Sequence, residues 1–326
     1  MRGIIENSEP LKLRPGENIA LQHSILRTLL YFDIFRYPLK PDEVYKFLGT
    51  NSITLYDLHD AMESLVEKGH AYHHRGFYSI QQGEELVKRR LNGNDHAKKL
   101  TGFAKRRAAL IGRFPFVRGV MASGSFSKGY MDEHSDLDFF VVTAPGRLWI
   151  ARMMIVLFKR LFLFNSHKYF CCNYFVDTEH LQIEEKNLFT ATELATLIPL
   201  YGAASYDRLM AANTWLKDFF PNFTPGTTEQ VPEDRTRSIK ALIENLLGGR
   251  LGERLANYFR KLTLQRWRRL YAAKYPADDF DIAFKTTVSV SKNHPNHFQR
   301  KILERYNQRL LDFSRNKFGM AELTDW

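Results

Sequence analysis

The 326-residue chain has very little cysteine. Its only two, Cys171 and Cys172, are neighbours. Adjacent cysteines rarely bridge, and no Cys-x-x-Cys pair exists, so a disulfide framework and a zinc site of that type are excluded. A reducing cytoplasm is the expected compartment. Long apolar runs are missing too. The most apolar stretch, 148–164, is broken by Arg152, Lys159 and Arg160. It is shorter than the ~20 residues a bilayer span needs and reads as a buried amphipathic helix. Met1–Pro10 carries Glu6 and Glu9 and no apolar segment. No signal peptide and no membrane partner are therefore expected. Internal repeats and coiled-coil heptads are absent. Acid is scarce relative to base: 47 Lys and Arg face 36 Asp and Glu, a net charge of +11. That excess suits an anionic partner.

What is present is ordinary for a globular protein, with 44% apolar and 25% charged residues. The length suits two or three domains. The charge is unevenly placed. Residues 1–96 carry net −1, while 97–190 and 191–326 carry +6 each. After an N-terminal tail (1–18), Asn18 is placed to cap a helix through Ile19, Leu26, Leu29 and Ile34. Pro41-Asp42-Glu43 opens a second helix and Thr54 precedes a third, closed by Gly69. Two short alternating runs flank Arg75-Gly76. Three helices and a hairpin over 19–82 resemble a winged helix-turn-helix. Its third helix carries Asp57, Asp60, Glu63 and Glu67. Four carboxylates oppose a phosphate backbone. Docking to protein, or within the chain, is therefore expected ahead of duplex DNA, with a DNA-binding regulator as the further alternative.

Residues 83–115 read as a basic helical connector, or a helix pair broken near Gly93. Its basic face is either simply solvated or a rim turned toward phosphate. The segment 116–185 carries the chemistry. Val117, Val120 and Met121 form an apolar strand, Gly124-Ser125 turns, and Asp136-Leu137-Asp138 enters a second apolar strand through Thr143. Residues i and i+2 of a strand share a face, so Asp136 and Asp138 project together. Two adjacent carboxylates repel unless a cation joins them, and hard oxygens with room for water suit Mg²⁺. Glycine lets a backbone approach a phosphate closely, and serine adds a hydroxyl donor.

Gly124-Ser125, ten residues, then Asp136-x-Asp138 preceded by Ser135 resembles the DNA polymerase β-type nucleotidyltransferase superfamily. The match is close over Val117–Thr143 and extends to Leu181 in outline. The whole chain also resembles bacterial proteins that join a winged-helix-like N-terminus to such a domain. The resemblance implies an α/β (α+β) core with a small mixed sheet, followed by a C-terminal helical domain (186–326) that completes the cleft. It implies Mg²⁺-dependent transfer of a nucleoside monophosphate from an NTP, ATP as donor, to an acceptor hydroxyl. Asp136 and Asp138 would hold metal, with Gly124, Ser125 and Lys128 at the phosphates. His134 either contacts a metal-bound phosphate or is an idle loop residue.

The family's third carboxylate normally sits mid-strand on a later strand. Here the candidate strand is 169–176, with neutral Asn173 mid-strand. Asp177 has the same parity and is the candidate third acid, or it begins the following turn. In the latter case the alternative is a weakly active or non-enzymatic nucleotide sensor. The segment 251–275 is strongly basic, with Arg254, Lys261 and Arg268 every seven residues and Glu253 its only acid. Trp267 and Tyr271 interleave with the arginines. An RNA or protein acceptor bound there is one reading, and a solvated helix paired with Asp278, Asp279 and Asp281 is the other.

Overall fold

The computed structural model describes residues 15–51, 53–162, 168–234, 238–293 and 298–318. Most of the expected tail lies outside them. The chain divides into two units, one of 1–88, 217–223 and 304–326, the other of 89–216 and 224–303. Among the described residues it is α+β, with thirteen α-helices and a five-stranded mixed sheet beside a small hairpin.

In the first unit, α1 (Pro15–Asp33) precedes α2 (Pro41–Lys46) and α3 (Leu55–Glu67). Asn18 lies inside α1 rather than capping it, because Pro15 already supplies a helical φ at the start. Thr54 caps α3 reciprocally with Asp57. β1 (Tyr72–His74) and β2 (Phe77–Ser79) form an antiparallel hairpin, and Leu39 bridges to Tyr78. Leu26, Leu30, Leu58, Met62 and Leu65 are buried. The late residues 304–318 belong here too. Arg309 pairs with the buried Asp33, and the Tyr306 ring meets the Tyr31 ring edge-on at 5.5 Å.

α4 (Glu84–Gly112) is one unbroken helix of 29 residues. Gly93 does not break it. A side chain there would run into the Tyr130 ring, so glycine marks a close approach rather than an end. Ala97, Ala104, Ala108 and Ile111 turn one face of α4 into the core of the second unit. That core forms around β3 (Val117–Ser123), α5 (Gly124–Ser127), β4 (Asp138–Thr143), α6 (Leu148–Phe162) and β5 (Cys171–Asp177). The chain continues through α7 (Leu188–Ala195), β6 (Ile198–Tyr201), α8 (Ala203–Ala212) and α9 (Leu216–Phe219). After these come α10 (Ser238–Leu246), α11 (Arg250–Tyr271), α12 (Ala277–Ala283), β7 (Val290–Lys292) and α13 (Phe298–Phe318).

The sheet order is β6-β3-β4-β5-β7. β3 and β4 are antiparallel, while β4 and β5 are parallel and joined through α6. The region after 185 is thus not wholly helical: it supplies both edge strands. β6 contains Pro199, which lacks an N–H and is tolerated because the strand lies at an edge.

A buried ionic cluster fixes α10 beside the start of β3. The Lys240 ammonium is almost fully enclosed and donates to the Gly112 and Val117 carbonyls at 3.1 and 2.7 Å, and to Asp234 at 2.5 Å. Arg118 donates through two nitrogens to Glu244, at 2.8 and 2.7 Å. Glu244 also accepts from the Phe116 amide.

Candidate functional site

The site lies at one corner of the second unit, where β3 ends and β4 begins. Ser123, the last residue of β3, lies opposite Asp138, the first of β4. Gly124 then turns the chain with φ +67°. A Cβ on Gly124 would stand 2.6 Å from the Asp138 Oδ2. The absent side chain is thus what lets backbone and carboxylate meet. Gly124→Ala is expected to cost about 1–3 kcal/mol, measured by urea denaturation, because alanine must adopt a left-handed φ and displace Asp138.

Asp138 is held from the other side by β5. The Asn173 amide donates to its Oδ1 at 2.6 Å, and the Cys171 thiol donates to Asn173 Oδ1 at 2.8 Å. Burial pushes the Asp138 carboxyl up to about 7. The Cys171 and Asn173 donors oppose this, while the charges of Asp136 and Glu193 add to it. Burial likewise raises the Cys171 thiol, with the Asp138 charge next in effect. Both cysteines are free, and this one is a neutral donor.

Asp136 precedes the strand and is exposed. The loop before it is ordered by Asp132, which accepts from the Tyr130 and Ser135 hydroxyls at 2.9 and 2.7 Å and from the His134 amide at 3.1 Å. Burial works against the Asp132 charge, but these bonds and Arg89 together lower its pKa. Arg89 of α4 lies over the Tyr130 ring and 3.6 Å from Asp132. The connector's start therefore braces this loop, whereas Lys98, Lys99, Lys105 and Arg106 are exposed. The His134 ring is exposed too, 3.4 Å from Glu133. Ser125 is exposed beside Gly124. Lys128 is already engaged: its ammonium donates to Glu193 of α7 at 2.7 Å and to the Gly124 carbonyl at 3.1 Å. Reaching a phosphate would require it to leave Glu193.

Asp177 does not join the corner. Its partner on β4 is Thr143, five residues beyond Asp138, or roughly 17 Å along the strand. It also sits on the opposite face. Counting by twos from 171 places 173, 175 and 177 together, but the register slips at Asn173. Phe139 pairs with Cys172, and Phe140 pairs with Tyr174. That bulge inverts the parity of everything after it. Asp177 is buried and accepts from the Glu179 amide at 3.1 Å, with the His180 ring at 2.7 Å. It organises the turn after β5.

Sequence reasoning missed Glu193, which lies in a helix far along the chain with no motif around it. Among the described residues, no group of three or more His, Cys, Asp or Glu side chains is placed to hold a metal. The basic segment 251–275 falls mostly on α11. Trp267 is buried, and the Tyr271 ring stacks one face on Phe284 at 4.7 Å. Arg254, Lys261 and Arg268 are exposed. The Asp278 and Asp279 side chains lie outside the described residues. Among the described residues no helix is long and apolar enough to cross a membrane. No family model, no curated protein and no solved structure matches the chain.

Proposed function

We propose that this corner binds a nucleoside triphosphate with Mg²⁺, and that the protein is a nucleotidyltransferase of the DNA polymerase β type. The acceptor hydroxyl attacks the α-phosphorus, the bond to pyrophosphate breaks, and the hydroxyl proton passes to a carboxylate. The observation that carries the reading is the seat of Gly124 against Asp138, which sets an open backbone turn beside a carboxylate. Asp136 and Asp138 offer hard oxygens and leave room for water, a donor set that fits Mg²⁺. The cation supplies charge neutralisation for the triphosphate and for the departing pyrophosphate. The Gly124 backbone and the Ser125 hydroxyl hold the β- and γ-phosphates. Asp177 has no part in this scheme. Glu193 is the further carboxylate whose charge reaches Asp138. The small mixed sheet supports the reading, and the acidic exposed face of α3 supports protein docking by a winged-helix-like first unit.

One observation favours a second reading. Where the resembled family carries its third acid mid-strand, this chain has Asn173, and Asn173 is already bonded to both Asp138 and Cys171. A site so built holds a nucleotide without turning it over, and the protein would be a nucleotide sensor.

The test is equilibrium dialysis with each NTP and Mg²⁺, followed by label transfer with and without cellular RNA. Binding and transfer that both vanish in Asp136→Asn/Asp138→Asn support the enzyme. Binding without transfer supports the sensor. No binding by the wild type overturns both. Asp177→Asn is expected to bind nucleotide as the wild type does, because it keeps its turn and lies remote from the corner.

A further inference from the structure

α10 is turned with its charges inward and its apolar side outward. Lys240 and Glu244 point into the ionic cluster beside β3. Ile239, Leu242 and Leu246 are 74%, 69% and 69% exposed. Their spacing, i, i+3 and i+7, places them in one stripe. α11 follows the same pattern. Leu255, Ala256 and Phe259 pack on the core, while Leu251, Tyr258 and Leu262 are 55%, 59% and 43% exposed. By helical spacing, Arg254 and Lys261 lie alongside that second stripe, and Glu253 falls on another side.

The orientation is fixed. Rolling α10 to hide its stripe would break the Lys240–Asp234 and Glu244–Arg118 pairs, and breaking buried pairs is strongly unfavourable. The Arg147 guanidinium also holds the carbonyls of Leu247, Gly248 and Gly249, which pins the corner between the helices. Six large apolar side chains on two consecutive helices are therefore held in the open. Patches of that kind mark interaction surfaces.

We propose that the outer faces of α10 and α11 dock on an anionic bilayer surface. Its acyl boundary takes the aliphatic stripe and its headgroup phosphates take Arg254, Lys261 and Arg268. The mixture of groups selects this partner. Leucine and isoleucine give nothing to a nucleic acid, whose bases need rings to stack on, and Tyr258 is the only aromatic ring in either stripe. That no helix among the described residues is long and apolar enough to cross a membrane says nothing of a surface. The inference is independent of the nucleotide site.

The test uses the full chain and two vesicle preparations, phosphatidylcholine alone and phosphatidylcholine with about a third phosphatidylglycerol. Co-sedimentation is expected to be at least tenfold stronger on the anionic vesicles and to weaken with salt. Leu242→Gln/Leu246→Gln and Arg254→Gln/Lys261→Gln should each lower it about tenfold, with unchanged urea midpoints because all four side chains are exposed. Equal or absent binding to the two preparations would overturn the proposal. So would a wild-type dimer that Leu242→Gln/Leu246→Gln dissociates, which would assign the stripe to a second copy. Binding of single-stranded RNA that only the arginine–lysine variant loses, without vesicle binding, would assign the face to nucleic acid.

Discussion

Asp138→Asn is expected to raise the thermal stability of the second unit at pH 8 while abolishing Mg²⁺-dependent nucleotide binding. The folded Asp138 carboxyl keeps its proton up to about 7, mainly because it is buried, whereas an unfolded aspartate releases it near 4. Between those values the folded state carries the extra proton. Stability from this group is therefore largest below pH 4 and falls as pH rises through 7. Above 7 the wild type holds a poorly solvated charge. The asparagine removes that charge and can still accept from Asn173. The gain should be on the order of 1–3 kcal/mol at pH 8, seen as a few degrees in Tm, and should disappear below pH 4. Mg²⁺ is expected to narrow the difference by stabilising only the wild type, and to bind more weakly at pH 6 than at pH 8. Melting curves of both proteins from pH 4 to 8, with and without Mg²⁺, measure all three. A variant that is less stable at pH 8 would show that Asp138 is there for packing, not for a cation.

The second large effect lies away from the corner. Lys240→Met should destabilise the second unit by about 3–5 kcal/mol, the usual cost of removing one partner from a buried ion pair. The methionine fills the volume but leaves the Asp234 carboxylate and the Gly112 and Val117 carbonyls short of their donor. Asp234 is not left wholly bare, because the Tyr201 hydroxyl donates to it at 2.8 Å and Arg118 stands 3.4 Å away. Asp234→Asn in the same background should therefore restore part of the loss, since it removes the unpaired charge. Urea denaturation of the single and double variants gives the coupling. Additive losses would mean that Lys240 and Asp234 act separately despite their 2.5 Å contact.

Some of this was legible in the sequence. The Gly-Ser and Asp-x-Asp pairs could be placed on β3, α5 and β4 because apolar alternation and turn residues act locally. α1, α2 and α3 were legible for the same reason, through the apolar spacing from Ile19 to Ile34, Pro41 and Thr54, although α1 starts at Pro15 rather than at the expected Asn18 cap. The place of Asp177 was not, because period-two counting holds only while the register does. One extra residue at Asn173 reverses it, and no residue type announces a bulge. β6 and β7 were hidden as well. Pro199 argues against a strand unless that strand is known to be an edge, and three residues of β7 are too few for a pattern. Trp267 among arginines suggested a stacking surface. Its burial follows from which side of α11 meets the core, a tertiary fact that composition does not carry.

The order of the strands sets a timetable for synthesis. β3, β4 and β5 occupy the middle of the sheet, but their outer neighbours come from 198–201 and 290–292. When residue 177 leaves the ribosome, β5 has an unpaired edge, and it waits for more than a hundred further residues. At roughly 5–20 residues per second that interval is on the order of ten seconds. Throughout it, the nascent chain presents a row of open amides and carbonyls beside Phe175 and Val176, a template for pairing with a neighbouring nascent chain. The first unit waits longer still, since its residues 304–318 follow β7. Translation speed and chaperone supply over 177–318, rather than the stability of the finished protein, should then decide how much of it is recovered folded from a cell.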